Sequence, residues 1–252
     1  MNTGLILHTF LGLLLLAIPA GALYLLERKM LKSFCVAVVR MVVQLLLLCL
    51  VVWVLIRVDS PWLLLAWLLV MAIVSGWIVL KRCRLKGNTP MISVVAGLFT
   101  GALFVGLWLL AFVFPVRVFD ARWFVPVMAL LLGHATAMMI RGLNTYVSAL
   151  RADREQYEYL RGNGLSHLKA LLPFMRRSLL AVISPTTANL SVMGLTSMPL
   201  LLVGIFVGGF SPINAFVLML HMTVGSVAVS VLSLAVTLFL ADRLSGNHKI
   251  FS

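Results

Sequence analysis

Acidic residues are scarce in this chain. Seven Asp and Glu stand among 252 residues, against 20 Lys and Arg, and charged residues make up only 11% of the sequence. A soluble domain of this size carries about 25% charged residues, so a water-soluble fold is excluded. Cysteine is nearly missing too. Cys35, Cys49 and Cys83 form no C-x-x-C pair and no Cys/His cluster, which argues against a disulfide framework and a zinc site. The phosphate-cradling pattern G-x-x-x-x-G-K-[ST] is absent, as are H-E-x-x-H and any pair of acids inside an apolar run. The chain therefore supplies no ATPase of its own by that route, and no enzyme constellation is present.

What is abundant is apolar sequence: 62% of residues are hydrophobic and mean hydropathy is +1.12. A membrane-crossing helix needs about 20 such residues. Seven segments qualify, near 4–26, 36–56, 62–80, 91–116, 124–147, 179–207 and 213–240. The expectation is an all-α, multi-pass protein of a cell membrane, a bacterial inner membrane, forming one domain over residues 1–252. The net charge of +13 would suggest nucleic acid on a soluble protein. Here the cations stand at the ends of apolar segments, where they read as topology signals.

Those cations alternate. All but three of the 20 Lys and Arg fall in the odd-numbered loops, their flanks and the tail; the exceptions are Arg57, Arg117 and Arg122. By the positive-inside rule the N-terminus is outside and the C-terminus inside. Ala20-Gly21-Ala22 resembles a leader cleavage site, but no positive residue precedes the first apolar run, and Arg28 and Lys29 follow it. That is the reverse of a signal peptide.

One long polar stretch interrupts the apolar sequence, Arg151 to Arg177, within a loop of about 148–178. Glu155 to Leu160 can prolong the fifth segment as a helix. Gly162-Asn163-Gly164 breaks it, because Gly and Asn tolerate positive φ. Ser166 can N-cap a short second helix carrying Leu168, Leu171 and Leu172, which Pro173 then limits. ABC-transporter permeases use a similar element as a coupling helix for an ATP-binding subunit. Their importer pattern is E-x-x-x-x-x-G followed by a stretch ending L-P. Glu158 and Gly164 keep that offset, and Leu172-Pro173 keeps the ending. Candidate coupling residues are Glu158, Gly162, Gly164, Leu168, Leu172 and Pro173. The alternative is an ordinary interfacial helix.

Polar groups inside apolar segments cost at least about 2.5 kcal/mol when charged and mark pathways or contacts. Arg40 and Gln44 lie one turn apart, although Arg40 can instead snorkel to the surface. Gly133, His134, Thr136 and Asn144 lie in the fifth segment, whose small residues permit close packing. His134 is either a protonation switch or ligand, or a hydrogen-bonded structural histidine. The sixth segment holds Pro185, Asn189, Ser197 and Pro199, the broken-helix composition of a translocation pathway or of a kinked packing helix. The seventh carries His221, Thr223, Ser226, Ser230 and Ser233 as a weakly polar stripe. Pathway candidates are Arg40, Gln44, His134, Asn144, Asn189, Ser197, Pro199 and His221, with no metal site.

The runs VVRMVVQLL (38–46), VPVMALLLGHATAMMIRGLN (125–144) and SPTTANLSVMGLTSMPLLLVGIFVGGFSPINA (184–215), with the Gly164 loop, resemble the FetB-type permease family, membrane halves of ABC transporters linked to iron export. Plant members of that family are implicated in aluminium tolerance, with a nucleotide sugar as a proposed substrate. The resemblance implies a homodimeric permease in the lipid bilayer, export, and a cytoplasmic ATP-binding subunit that alone holds ATP and Mg. No nucleic acid is implied. This chain departs from the pattern at Ala188, Ser191, His134 and around Met219, where charged or amide groups are lost, and at Leu200, where the pattern has glycine. That shifts the expected cargo from a metal ion toward a more apolar or lipid-like molecule, or toward a mechanical role in which no cargo crosses this chain. The competing reading is a gradient-driven secondary transporter or channel with no ATPase; few intramembrane acids exist to couple it.

Overall fold

A computed structural model describes residues 11–85, 87–114, 117–193 and 200–245, the last interval including 200–202 and 245 as backbone only. Every element is helical. In chain order they are α1 (Ala17–Leu26), α2 (Arg28–Val58), α3 (Pro61–Cys83), α4 (Asn88–Trp108), α5 (Ala121–Ala152), α6 (Arg154–Gly162), α7 (His167–Val192), α8 (Leu200–Val207) and α9 (Pro212–Ser245). A five-residue π turn, Leu109–Val113, extends α4. The protein is a multi-pass membrane protein.

Five helices among the described residues are long and apolar enough to cross a membrane: α2, α3, α4 with its π turn, α5 and α9. The other two predicted segments are not seen as uninterrupted spans. The first is described from residue 11, as a shorter apolar helix, Leu11–Leu26. The sixth is divided between the end of α7 and α8, and 194–199 lie outside the described residues.

The chain separates into two compact units, Met1–Val58 and Asp59–Ser252. The first contributes α1 and α2. Arg28 stacks over Tyr24, 4.6 Å from the ring centroid, and donates to its hydroxyl at 3.2 Å. α2 is Leu- and Val-rich along most of its length.

The second unit is a helical bundle. Its outer surface is apolar, with Trp62, Trp77, Phe104 and Phe112 exposed, as a hydrocarbon surround allows. Inside, α4 and α9 approach closely through small residues. A Cβ on Gly97 would lie 2.7 Å from the Ser233 carbonyl and would clash with the Thr237 hydroxyl, while one on Gly101 would meet Ser233. Gly97 and Gly101 form a G-x-x-x-G pair, the spacing that lets two backbones pack in lipid. The lower half of the polar stripe on α9 is thus a packing seam: Ser230, Ser233 and Thr237 are almost wholly buried.

In α5 the tight glycine is Gly142, whose Cβ would meet Leu234 and Val182; Gly133, expected to pack closely, has open space around it. Two carboxylates hold the start of α5. Asp120 accepts from the Arg122 amide at 3.0 Å, and Asp59 accepts from the Ala121 amide at 3.1 Å. They satisfy amides a helix start leaves unpaired.

One local expectation is corrected. Pro173 does not limit a short helix, because α7 continues through both Pro173 and Pro185 to Val192. An interior proline costs about 3 kcal/mol. Here Ala170, Leu171, Phe174, Ser178 and Val182 are all buried along one side of the helix, and that packing holds the axis across the missing hydrogen bond.

Candidate functional site

Two features stand out in the second unit: a polar hairpin at one end of α7 and a pocket at the other. The hairpin turn has a definite mechanism. Asn163 caps α6, and Gly164 follows with φ +82°. The Leu165 amide then donates to the Leu160 carbonyl at 3.3 Å, and the Gly164 amide to the Arg161 carbonyl at 3.1 Å. These are the paired bonds of a Schellman motif, and Leu160 and Leu165 are the two positions expected to share its apolar contact. Ser166 has an extended N-cap backbone, although its side chain makes no capping bond.

The hairpin is braced to the bundle. Tyr157 Oη lies 2.8 Å from His167 Nδ1, and His167 Nε2 lies 3.4 Å from Asp242 Oδ1. This chain links α6, the first residue of α7 and the end of α9. Arg177 pairs with Asp153 between α7 and the α5–α6 junction. Glu158 is engaged locally by Arg154 at 2.8 Å, both side chains exposed; such a pair contributes little to stability. The predicted leucine face divides. Leu171 turns inward, Leu168 is exposed, and Leu172 with Leu160, Leu165 and Pro173 lines an open groove of about 650 Å³ edged by Lys169, Arg176 and Arg177. Gly162 lies in the last turn of α6 with open space around it.

Farther along α7, the Ser178 hydroxyl donates to the Gly142 carbonyl at 2.7 Å and pins α7 to α5. Beyond that pin lies a pocket of about 260 Å³ among α5, α7 and α9, which His134, Met138, Thr186, Asn189, Met219 and Met222 help to line. His134 and Asn189, predicted from separate segments, meet here. His134 Nε2 is buried without a hydrogen-bond partner among the described residues. The hydroxyls of Thr186 and Thr187 bond to the carbonyls of Val182 and Ile183, at 2.7 and 3.0 Å, on either side of Pro185.

The other pathway candidates stand elsewhere. Asn144 is exposed, and its carbonyl accepts from Ser148 at 2.6 Å. His221 stacks edge-on to Phe114 with centroids 6.3 Å apart, outside the pocket wall, and its Nδ1 is buried without a hydrogen-bond partner among the described residues. Arg40 and Gln44 are exposed on α2, in the first unit. Ser197 and Pro199 lie outside the described residues.

Sequence reasoning missed Tyr157, His167 and Asp242, which carry no local signal because they meet only through folding. It also missed the methionines of the pocket. Their signal was available in part: Met138 follows His134 by one turn, and Met219, Met222 and Ser226 share a helical spacing.

A bundle of long apolar helices with a polar hairpin at one end defines an integral membrane protein. The chain belongs to UPF0014, an uncharacterised protein family whose profile matches residues 6–244. This corrects the FetB-type assignment: the family matched is UPF0014, and neither its description nor its relatives' names carry iron export. The chain is 29% identical over 179 residues to the rice UPF0014 membrane protein STAR2 and 28% identical over 178 residues to the Arabidopsis protein ALUMINUM SENSITIVE 3. Each match covers 68% of this chain, but only 60% and 63% of those relatives' own lengths. A UPF0014 membrane protein of Synechocystis is 24% identical over 183 residues, covering 68% of this chain and 70% of its own. No solved structure matches significantly.

Proposed function

We propose that this chain is the membrane-spanning permease subunit of an ATP-driven transporter, worked by a separate cytoplasmic ATP-binding subunit. The observation that carries the reading is the continuity of α7. Its first residue, His167, is clamped in the hairpin, and Asn189, near its far end, lines the pocket. At about 1.5 Å per residue the two are about 33 Å apart on one helix. A push on the hairpin is thereby delivered to the pocket wall. The groove of Leu160, Leu165, Leu172 and Pro173 is the seat for the ATP-binding subunit, with Lys169 and Arg176 at its edge.

The cation distribution puts the hairpin in the cytoplasm and the N-terminus outside. Arg40 and Gln44 on α2 are candidates for contact with a second copy, since polar side chains bind helices together in lipid. Export is the direction that the reading adopts. The Arabidopsis relative is named for aluminium sensitivity, which supports a role in solute movement without naming a cargo here.

The test is purification of the tagged chain from its native membrane in mild detergent. A Walker-motif protein should co-purify in near-stoichiometric amount, and a cysteine placed at Leu172 should cross-link to it. Recovery of the chain alone, still active in transport, would favour the gradient-driven alternative and sink this reading.

A further inference from the structure

The pocket among α5, α7 and α9 has an unusual donor set. Four thioethers line it: Met138 on α5, Met193 at the end of α7, and Met219 and Met222 on α9. Thr223 Oγ1 lies 3.9 Å from Met193 Sδ, so α7 and α9 meet at this wall. His134 adds an imidazole whose Nε2 is buried and makes no hydrogen bond among the described residues. Asn189 and Thr186 add neutral oxygens. Among the described lining residues there is no carboxylate and no thiol.

Each property narrows the ligand. Hard cations such as Mg, Ca or Mn take carboxylate, carbonyl and water oxygens, whereas thioethers select soft ions of the Cu(I) type and imidazole is compatible with them. A neutral donor set leaves the ion's charge uncompensated. The Born cost grows with the square of charge, so a monovalent ion is roughly four times less costly to hold here than a divalent one. The volume, about 260 Å³, is below the roughly 300–1,000 Å³ of pockets for drug-sized organic molecules. Methionine also fills gaps in ordinary cores, but gap-filling gives no reason for four thioethers gathered beside a histidine whose Nε2 has no hydrogen-bond partner among the described residues.

We propose that this pocket binds a soft monovalent metal ion of the Cu(I) class through Met138, Met219, Met222 and His134, with Met193 closing the wall. As the transported cargo, that ion rests on the reading of the pocket as a transport chamber. It replaces the lipid-like cargo expected from the sequence, which the loss of charged groups suggested: loss of charge excludes hard ions and leaves soft ones.

The experiment uses the full chain in detergent with Ag(I), a redox-stable probe. All three cysteines are first replaced (Cys35→Ser, Cys49→Ser, Cys83→Ala), because their thiols would otherwise take the ion. Equilibrium dialysis should find one Ag(I) per chain, and X-ray absorption should show sulfur neighbours with a nitrogen. Replacing residues outside the coordination shell alone weakens metal sites 10–100-fold, so Met138→Leu, Met219→Leu and Met222→Leu together should weaken binding by at least about 100-fold. These swaps nearly conserve volume. Should the triple variant not fold, His134→Ala and each single Met→Leu variant are expected to lose about tenfold or more.

Absence of saturable binding in the cysteine-free chain overturns the proposal. So does binding that the methionine and histidine variants leave unchanged. No ATP-binding subunit enters the assay. Failed titration beside a co-purifying ATPase therefore removes the cargo class alone, whereas tight Ag(I) binding without an ATPase removes the motor alone.

Discussion

Replacing Gly164 by alanine tests the hairpin turn through the backbone alone. A Cβ at Gly164 would meet nothing within 4 Å, so no steric clash contributes. Its φ of +82° is a left-handed conformation that costs a residue with a Cβ about 1–2 kcal/mol. If that loss falls on the folded hairpin, local opening becomes about 5–30 times more frequent. Gly162 is the internal control. It also has open space, but it ends α6 without a positive φ, so alanine there is neutral or favourable by up to about 1 kcal/mol. Asparagine at 164 should recover part of the loss, since its side chain tolerates this conformation. Hydrogen exchange by mass spectrometry on peptides spanning 154–172 reads the opening directly. Faster exchange in Gly164→Ala, unchanged or slower exchange in Gly162→Ala, and an intermediate Gly164→Asn are expected. If Gly164→Ala matches the parent, or both alanine variants shift together, the Schellman turn is not what holds the hairpin. Under the transporter reading, Gly164→Ala also lowers transport-coupled ATP hydrolysis and Gly162→Ala does not.

Gly97→Ala forces a Cβ against the Ser233 carbonyl and Thr237 and should destabilise by about 1–3 kcal/mol; Gly133→Ala, in open space, should leave thermal unfolding in detergent nearly unmoved. Tyr157→Phe keeps the ring and removes the contact with His167, for a loss of about 0.5–1.5 kcal/mol. That loss should appear as faster exchange in α6 and at the start of α7, while the α4–α9 seam stays protected. Asp59→Ala removes the acceptor of the Ala121 amide and should cost about 1 kcal/mol, read as a lower unfolding temperature that Asp59→Asn partly restores.

Much of the local structure was legible because its causes are local. The Gly162-Asn163-Gly164 break ended α6 where expected, since a residue able to take positive φ must follow a helix closed this way. The span of α3 opens at Pro61, a good first helical residue. Pro173 misled for a reason that is not local. Its ring disfavours a helix through it, and only the burial of Phe174 and Ser178 beyond it keeps α7 continuous.

By itself the sequence determined that this is a helical membrane protein with one polar hairpin. In hydrocarbon every backbone amide must be satisfied within its own segment, so length and hydropathy suffice to mark helices. Tertiary structure alone decided which side chains meet. Lipid is as apolar as a bundle interior, so hydropathy does not distinguish a face turned to lipid from one turned to a neighbour. Gly97 against Thr237, His167 against Asp242, and His134 among the pocket methionines are juxtapositions that only helix packing creates.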